Sequence, residues 1–255
     1  MTQPATVVLI GLDDTDNRDS RGTGYLARQL SAECAARGMR PLGVTRHQFL
    51  VSPEIPYTSH NSGACVAVEG DGGAAAAEFA FDFVAARAAD GSDPGVCVGV
   101  FDAAALDDES GAAPREVVGF GRAAGARILT MTEAMETARR AGLALRALGG
   151  TGLGVIGALA SVGLRAGGND GRFIDLPGLR DLPDRGTLAM FDRLGIRLGI
   201  DVKSPTGDRL PDGSDPFETL GWVRPRLLVG KPVLMVEWSD EHDAWVPVDR
   251  KHSQP

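Results

Sequence analysis

The chain has 255 residues and a formal net charge of −8, with 43% hydrophobic and 24% charged residues, a balance typical of globular proteins. No segment approaches the roughly 18 uninterrupted apolar residues of a membrane-spanning helix, and no secretory signal is visible. Because Lys and Arg contacts to phosphates dominate nucleic-acid affinity, the acidic balance argues against unaided RNA binding. We therefore expect a cytoplasmic protein with a small-molecule or nucleoside-like substrate, with RNA disfavoured and no membrane partner.

The three cysteines, Cys34, Cys65 and Cys97, lie far apart and form no paired motif of the kind that binds structural zinc. We expect them to be reduced and buried. Residues 122–146 include five arginines that could form a local basic patch, although a solvated helix face is the commoner role for such residues.

The first hundred residues alternate between strand and helix patterns. The predicted elements are a strand at 6–12, a helix at 23–37, strands at 42–51 and 64–69, a helix at 73–90 and a strand at 95–101. The order β-α-β-β-α-β is typical of the ferredoxin-like split β-α-β fold, an antiparallel sheet with helices on one face. The predicted fold class is α+β.

The rest of the chain predicts a second α+β subdomain. We expect helices at 115–125 and 132–148 with a short strand at 127–129 between them, then a glycine-rich stretch and a closing hairpin at 226–238 and 244–248. We expect residues 1–110 to carry a metal site and residues 111–255 to carry the glycine-rich loop, with a nucleotide bound between the two parts.

Three carboxylates, Asp13, Asp14 and Asp16, directly follow the first apolar strand. They repel one another unless a hard cation neutralises them, and Mg²⁺ prefers carboxylate oxygens and commonly arrives with nucleotide phosphates. We expect all three to hold Mg²⁺, with Thr15 beside them as a cofactor-binding residue. The alternative is an Asp-rich capping turn, which is common.

The stretch from Gly149 to Gly163 is rich in glycine and opens into a helix of small residues. Such a loop can present backbone N–H groups to an anion, so Gly152, Gly154 and Gly157 are candidates for contact with ATP phosphates. No Lys-Ser/Thr pair follows, so the loop is not a P-loop, and simple packing is the alternative role.

A polar segment containing His60, Asn61 and Ser62 lies between two predicted strands. His60 is a candidate to contact phosphate or to carry a proton. Asn61 and Ser62 are candidates to bind the nucleotide or substrate. A plain turn is the alternative for all three residues.

Several segments resemble the archaeal 2-agmatinylcytidine synthetases, which modify the anticodon cytidine of an isoleucine tRNA. The matching segments are 10–16, 21–27, 55–57 with 61–64, 93–96 and 154–163. The resemblance implies a kinase-like domain followed by a ferredoxin-like domain, with ATP between them and aspartates that hold Mg²⁺. It also implies that Thr23 is a phosphorylation site, and we expect Gly22 beside it to bind the cofactor. The resemblance further implies that ATP activates the C2 oxygen of cytidine and that agmatine displaces that oxygen.

Two departures from the family pattern bear on the substrate. The family also carries an OB-fold and a zinc ribbon that bind tRNA, and this sequence has no paired cysteines for the ribbon. Gly22-Thr23-Gly24 replaces a Cys-Thr-Thr sequence, and Leu153 replaces a basic residue. The nucleotide chemistry therefore carries over better than the tRNA substrate.

The leading hypothesis is a Mg²⁺- and ATP-dependent phosphotransferase or ligase in which Asp13, Asp14, Thr23 and His60 are catalytic. One alternative is a tRNA cytidine-modifying enzyme that acts with a separate RNA-binding partner. A second alternative is a non-catalytic sensor that binds nucleotides.

Overall fold

The first strand, β1, is the centre of the molecule because almost every residue along it is buried. The computed structural model describes residues 5–55, 60–70, 72–106, 114–200 and 210–248. Alternate residues of β1 face different helical layers, as the two-residue period of a strand requires. Val8 and Ile10 belong to the hydrophobic cluster under the first two helices, whereas Val7 and Leu9 belong to the cluster under the later helices.

The described residues form twelve strands and seven α-helices. The helices are α1 (Thr23–Ala36), α2 (Gly73–Ala85), α3 (Ala103–Leu106), α4 (Arg115–Ala124), α5 (Met131–Ala141), α6 (Gly154–Ala166) and α7 (Ala189–Asp192). The strands are β1 (Thr6–Asp13), β2 (Arg40–Gln48), β3 (Ser62–Glu69), β4 (Gly95–Asp102), β5 (Ala144–Ala147), β6 (Arg172–Asp175), β7 (Arg185–Thr187), β8 (Arg197–Ile200), β9 (Pro216–Glu218), β10 (Arg226–Leu228), β11 (Lys231–Ser239) and β12 (Ala244–Pro247).

The N-terminal part confirms the predicted ferredoxin-like arrangement. Its strands lie in the order β4-β1-β3-β2, and all three pairs are antiparallel. Helices α1 and α2 share one hydrophobic cluster with the strand residues on their side of the sheet. The α+β fold class is therefore confirmed, and β5 and β6 extend this sheet at its two edges.

Helix α6 covers the other face of the sheet and is buried on nearly every side. Two close approaches demand glycine. A Cβ at Gly11 of β1 would overlap the Ala158 carbonyl of α6, and a Cβ at Gly163 of α6 would overlap the Val117 carbonyl of α4. The small side chains in this helix therefore allow backbone-to-backbone packing that larger ones would prevent.

The structure corrects the prediction of one long helix at 132–148. Thr130 and Glu133 form a reciprocal capping box, so α5 starts at Met131. Gly142 adopts a left-handed conformation that ends the helix, and the residues after it pair with β4 as the edge strand β5. The predicted strand at 127–129 is absent, and these described residues form a bend and an extended connection instead.

The C-terminal part continues the sheet through β10, β11 and β12, and the antiparallel pairing of β11 with β12 confirms the predicted closing hairpin. The predicted strand at 226–238 is however divided by a turn at Val229 and Gly230 into β10 and β11, which pair with each other. Trp238 and Trp245 pack edge to face across this hairpin, with ring centroids 6.0 Å apart. In the described part of the chain, no helix is both long and apolar enough to cross a membrane.

We expect Gly163→Ala to destabilise the protein by about 2 kcal/mol, because the added methyl group overlaps backbone of α4, which cannot move as a side chain can. The matched control is Gly119→Ala in α4, where a Cβ meets no atom within 4 Å. That change should leave stability unchanged or raise it by about 0.5–1 kcal/mol. Urea unfolding of both variants checks this, and equal stability of the two would contradict the packing account.

Candidate functional site

A cavity of about 400 Å³ opens where β1 ends and β4 begins. Its lining combines carboxylates, residues of the glycine-rich loop and a set of apolar side chains that we call the apolar wall. The carboxylates are Asp13, Asp14, Glu54 and Asp93, and the apolar wall includes Phe49, Ile55, Ile128, Leu129, Leu153 and Ile156. We call this space the acidic cavity.

Asp13 lies at the end of β1, directly against α6. A Cβ on Gly157 would overlap the Asp13 carboxylate, so glycine at that position makes the room for it. Burial, followed in importance by the neighbouring charge of Asp14, raises the pKa of Asp13 to about 7. A carboxyl group with this pKa carries a proton for part of the time at neutral pH, unless a cation displaces the proton.

Asp14 has a backbone φ of 50°, in the left-handed region that residues other than glycine seldom adopt. Burial, followed in importance by the charges of Asp93 and Asp16, raises the pKa of its carboxyl to about 6. Asp13, Asp14 and Asp93 thus form a set of mutually repelling carboxylates around one cavity.

Asp93 holds the glycine-rich loop in place, a role that the sequence analysis missed. Its carboxylate accepts hydrogen bonds from the N–H of Gly152 at 2.6 Å, the N–H of Leu153 at 3.2 Å and the hydroxyl of Thr151. A Cβ on Gly154 would overlap the Asp93 carbonyl. The N–H of Gly152, a candidate phosphate donor, is therefore already bonded to a carboxylate in this structure.

Asp16 points to the start of α1. Its Oδ1 accepts from the Thr23 N–H at 3.0 Å and from the Thr23 hydroxyl at 2.8 Å. The Thr23 hydroxyl also accepts from the hydroxyl of Thr15 at 3.1 Å. Gly22 precedes the helix in an extended conformation and contributes no side chain. These contacts place Thr15, Gly22 and Asp16 around Thr23, which is buried.

The three aspartates that were predicted to bind metal do not all line the same cavity. Asp13 and Asp14 line the acidic cavity, whereas Asp16 lines a neighbouring cavity. Within the described ranges, no group of three or more His, Cys, Asp or Glu side chains is arranged to hold a metal ion. Mg²⁺ commonly uses only one or two protein carboxylates and completes its shell with water and phosphate oxygens, so Asp13 and Asp14 fit that donor chemistry.

The segment His60–Ser62 separates the acidic cavity from that neighbouring space. Asn61 lines the acidic cavity and donates from its side-chain amide to the Leu50 carbonyl at 2.7 Å. Ser62 accepts from Arg46 Nη2 at 2.8 Å and lines the other side together with His60. One short segment therefore contacts both spaces.

The neighbouring space is basic. It consists of a cavity of about 330 Å³ and a second cavity of about 550 Å³, which share Arg46, His60, Ile174 and Arg224 in their linings. We call the joined space the basic groove. The arginines that line it are Arg28, Arg46, Arg172, Arg180, Arg224 and Arg226.

Other predictions concern the cysteines, the arginine-rich stretch and one of the family-like segments. All three cysteines are unpaired and buried, as expected, and burial raises the thiol pKa of Cys34 to about 11 and of Cys65 to about 12. Within the arginine-rich stretch at 122–146, Arg127, Arg140 and Arg146 form ion pairs with glutamates. These three arginines therefore belong to a paired, solvated surface, and Arg127 also lines the acidic cavity. Pro56 and Tyr57, in one of the family-like segments, lie outside the described residues.

Comparisons with solved structures place this α+β architecture beside tRNA-modifying enzymes. A tRNA fluorescent labeling enzyme is 25% identical, with a TM-score of 0.51, over 62% of this chain and 36% of that one. The TiaS agmatidine synthetase in complex with tRNA and ATP is 26% identical, with a TM-score of 0.51, over 62% of this chain and 36% of that one. Its complex with tRNA, an ATP analogue and agmatine is 25% identical, with a TM-score of 0.50 and the same coverage.

The similarity to TiaS confirms the resemblance that the sequence motifs indicated. The chain spans about a third of the length of these solved relatives. No protein-family model and no curated protein matches the sequence.

One expectation is wrong. The acidic composition led us to disfavour RNA and to expect a small-molecule or nucleoside-like partner. The similar solved structures are tRNA complexes and a tRNA labeling enzyme, which overturns that expectation. Net charge does not predict RNA binding here because it averages over the whole surface, whereas a nucleic acid responds to the local electrostatic potential. The basic groove is such a local concentration in a chain of net charge −8.

The raised pKa of Asp13 predicts a pH effect on the stability of the metal-free protein. The folded chain holds this proton more tightly than the unfolded chain, whose aspartate has a pKa near 3.8, so this contribution to stability is lost as pH rises through about 7. Asp13→Asn carries no charge and should lose less stability between about pH 5 and pH 8.

Urea unfolding in EDTA at both pH values measures the difference. Exposed Asp192 offers the control, because Asp192→Asn should retain the wild-type pH dependence. The same pH dependence in Asp13→Asn and wild type would contradict a buried, proton-binding Asp13.

Proposed function

We propose that this chain is an ATP-using enzyme of the ligase type that modifies tRNA. The observation that carries the proposal is the pairing of an acidic, partly apolar cavity with a basic groove across the segment His60–Ser62. The similarity to structures that contain tRNA together with ATP or an ATP analogue supports the same pairing of substrates.

In this proposal the acidic cavity holds ATP. The apolar wall formed by Phe49, Ile128 and Ile156 suits a nucleobase, and the phosphates are proposed to lie at the start of α6, where Gly154 and Gly157 line the cavity. Asp13 and Asp14 would hold Mg²⁺. The metal ion supplies charge neutralisation for the phosphates, which is the main requirement of phosphoryl or nucleotidyl transfer.

Thr23 is the proposed phosphoryl acceptor within the chain. Its hydroxyl lies 2.8 Å from Asp16 Oδ1, within reach for proton transfer to a base. Thr23 lines the basic groove, so the terminal phosphate of ATP would extend past the border at residues 60–62 to reach it. Attack of the Thr23 oxygen on the terminal phosphorus would form the new P–O bond, release ADP and pass the hydroxyl proton to Asp16. His60, at the border of the two spaces, is proposed to contact phosphate or to carry a proton.

We expect Asp13→Asn and Asp14→Asn each to reduce Mg²⁺-dependent ATP turnover by at least about 100-fold while the fold survives, because charge stabilisation of the phosphates is lost. Turnover is measured with a transcript of an isoleucine tRNA and agmatine, by separating AMP, ADP and modified RNA. Asp192→Asn should keep wild-type turnover. Wild-type rates in the two site variants would contradict the metal role, and tight ATP binding without any product would identify a sensor instead of an enzyme.

Thr23 is tested by a pair of substitutions. Thr23→Ser keeps the hydroxyl that bonds Asp16 and should retain phosphorylation, whereas Thr23→Val keeps the shape and should abolish it. Mass analysis of the chain after incubation with labelled ATP gives the readout. Phosphate at position 23 in neither the wild type nor Thr23→Ser would remove the acceptor role.

A further inference from the structure

We propose that the basic groove binds a single-stranded segment of RNA, with guanidinium groups on its phosphates and Trp222 stacked on a base. The inference rests on the proposed function and deepens it, because it assigns the RNA-binding surface to this chain. Residues of α1, β2 and β3 line the groove together with residues of β6, β10 and the stretches next to them, so the C-terminal part of the sheet supplies half of the lining.

The groove is continuous, and its charge is strongly one-sided. The two cavities share Arg46 and Arg224, which therefore face both of them. Six arginines and two aspartates line the joined space, in a chain whose net charge is −8. So many guanidinium groups along one groove fit a repeating anion such as a phosphate backbone.

The arginines are crowded in a way that an anion would relieve. The pKa of Arg46 is lowered by burial and by the charge of Arg224, and the pKa of Arg28 by burial and by the charge of Arg180. Asp16 and Asp170 are the lining carboxylates, and Asp16 also accepts two hydrogen bonds from Thr23. Arg180 also pairs with Asp175 at 3.2 Å, so six arginines face three nearby carboxylates and the local balance stays positive.

Two aromatic side chains indicate a single strand. Trp222 is 45% exposed at the edge of the groove, with the Arg180 guanidinium 4.3 Å from its ring centroid. Tyr25 also lines the groove, with the Arg21 guanidinium 4.4 Å from its ring. Bases stack on aromatic rings and guanidinium planes when they are unpaired, whereas a duplex keeps its bases stacked on each other.

The position of the groove links it to the acidic cavity. Arg46 donates to Ser62, whereas Asn61, the preceding residue, lines the acidic cavity. A strand that lies along the groove would pass the border formed by residues 60–62. An unpaired nucleotide could cross that border and reach ATP.

Fluorescence anisotropy of a labelled single-stranded RNA of about twelve nucleotides, with the full chain and no ATP, tests the groove. The double variant Arg180→Ala/Arg224→Ala should bind at least about tenfold more weakly and should lower the slope of log affinity against log salt by about 1.4, the value for two lost phosphate contacts on a single strand. The matched control is Arg139→Ala/Arg193→Ala, two exposed arginines outside the groove, which should stay within about twofold of wild type.

Stacking has its own readout. RNA should quench the tryptophan fluorescence of the wild type, and Trp222→Phe should lose that quenching while it keeps most of the affinity, because phenylalanine also stacks. Trp222→Ala should lose affinity as well. Equal affinity for a duplex of the same sequence, with unchanged tryptophan fluorescence, would overturn the single-strand assignment.

The outcomes separate this inference from the proposed function. Wild-type RNA affinity in the arginine double variant overturns the groove and leaves the ATP chemistry to its own test. Loss of RNA binding with unchanged Mg²⁺-dependent ATP binding in that variant supports the groove. Failure of the wild type to bind any RNA contradicts both.

Discussion

The close approach of α6 to the sheet is the constraint on which the core and the candidate site both depend. Glycines at 11, 154, 157 and 163 let backbone meet backbone or carboxylate where a methyl group would overlap. The same packing puts the start of α6 against the last residue of β1 and the first residue of β4. Asp13 and Asp93 therefore meet the glycine-rich loop, and a structural feature of the core becomes the base of a polar cavity.

The two spaces on either side of the segment His60–Ser62 are lined by opposite charges. Four carboxylates line one side, where burial and the charges of neighbouring aspartates raise the pKa of Asp13 and of Asp14, and the arginines line the other side. Each side holds like charges that repel one another, which costs folding free energy in the absence of ligand. A cation with a nucleotide on the first side and a polyanion on the second would relieve both costs, and an enzyme that joins ATP chemistry to RNA needs that combination.

The features that could be predicted from the sequence are those determined by local periodicity and by residues close together along the chain. The strand-helix order of the first hundred residues and the position of the Asp cluster after β1 follow from apolar runs and glycines along the chain. The role of Asp93 could not be predicted, because the loop it holds lies about 60 residues further on. Its signals in the sequence are its place directly before a strand and its position in the family-like segment 93–96. The arginines of the groove are likewise scattered from residue 28 to residue 226, whereas the arginine-rich stretch that drew attention pairs largely with glutamates.

The most direct test of the central claim is a crystal structure of the chain with Mg²⁺ and a non-hydrolysable ATP analogue. The account predicts the phosphates beside Asp13 and Asp14 at the start of α6, with the base against Phe49 and Ile128. A nucleotide bound with its phosphates among Arg46, Arg180 and Arg224 and the acidic cavity empty would contradict it.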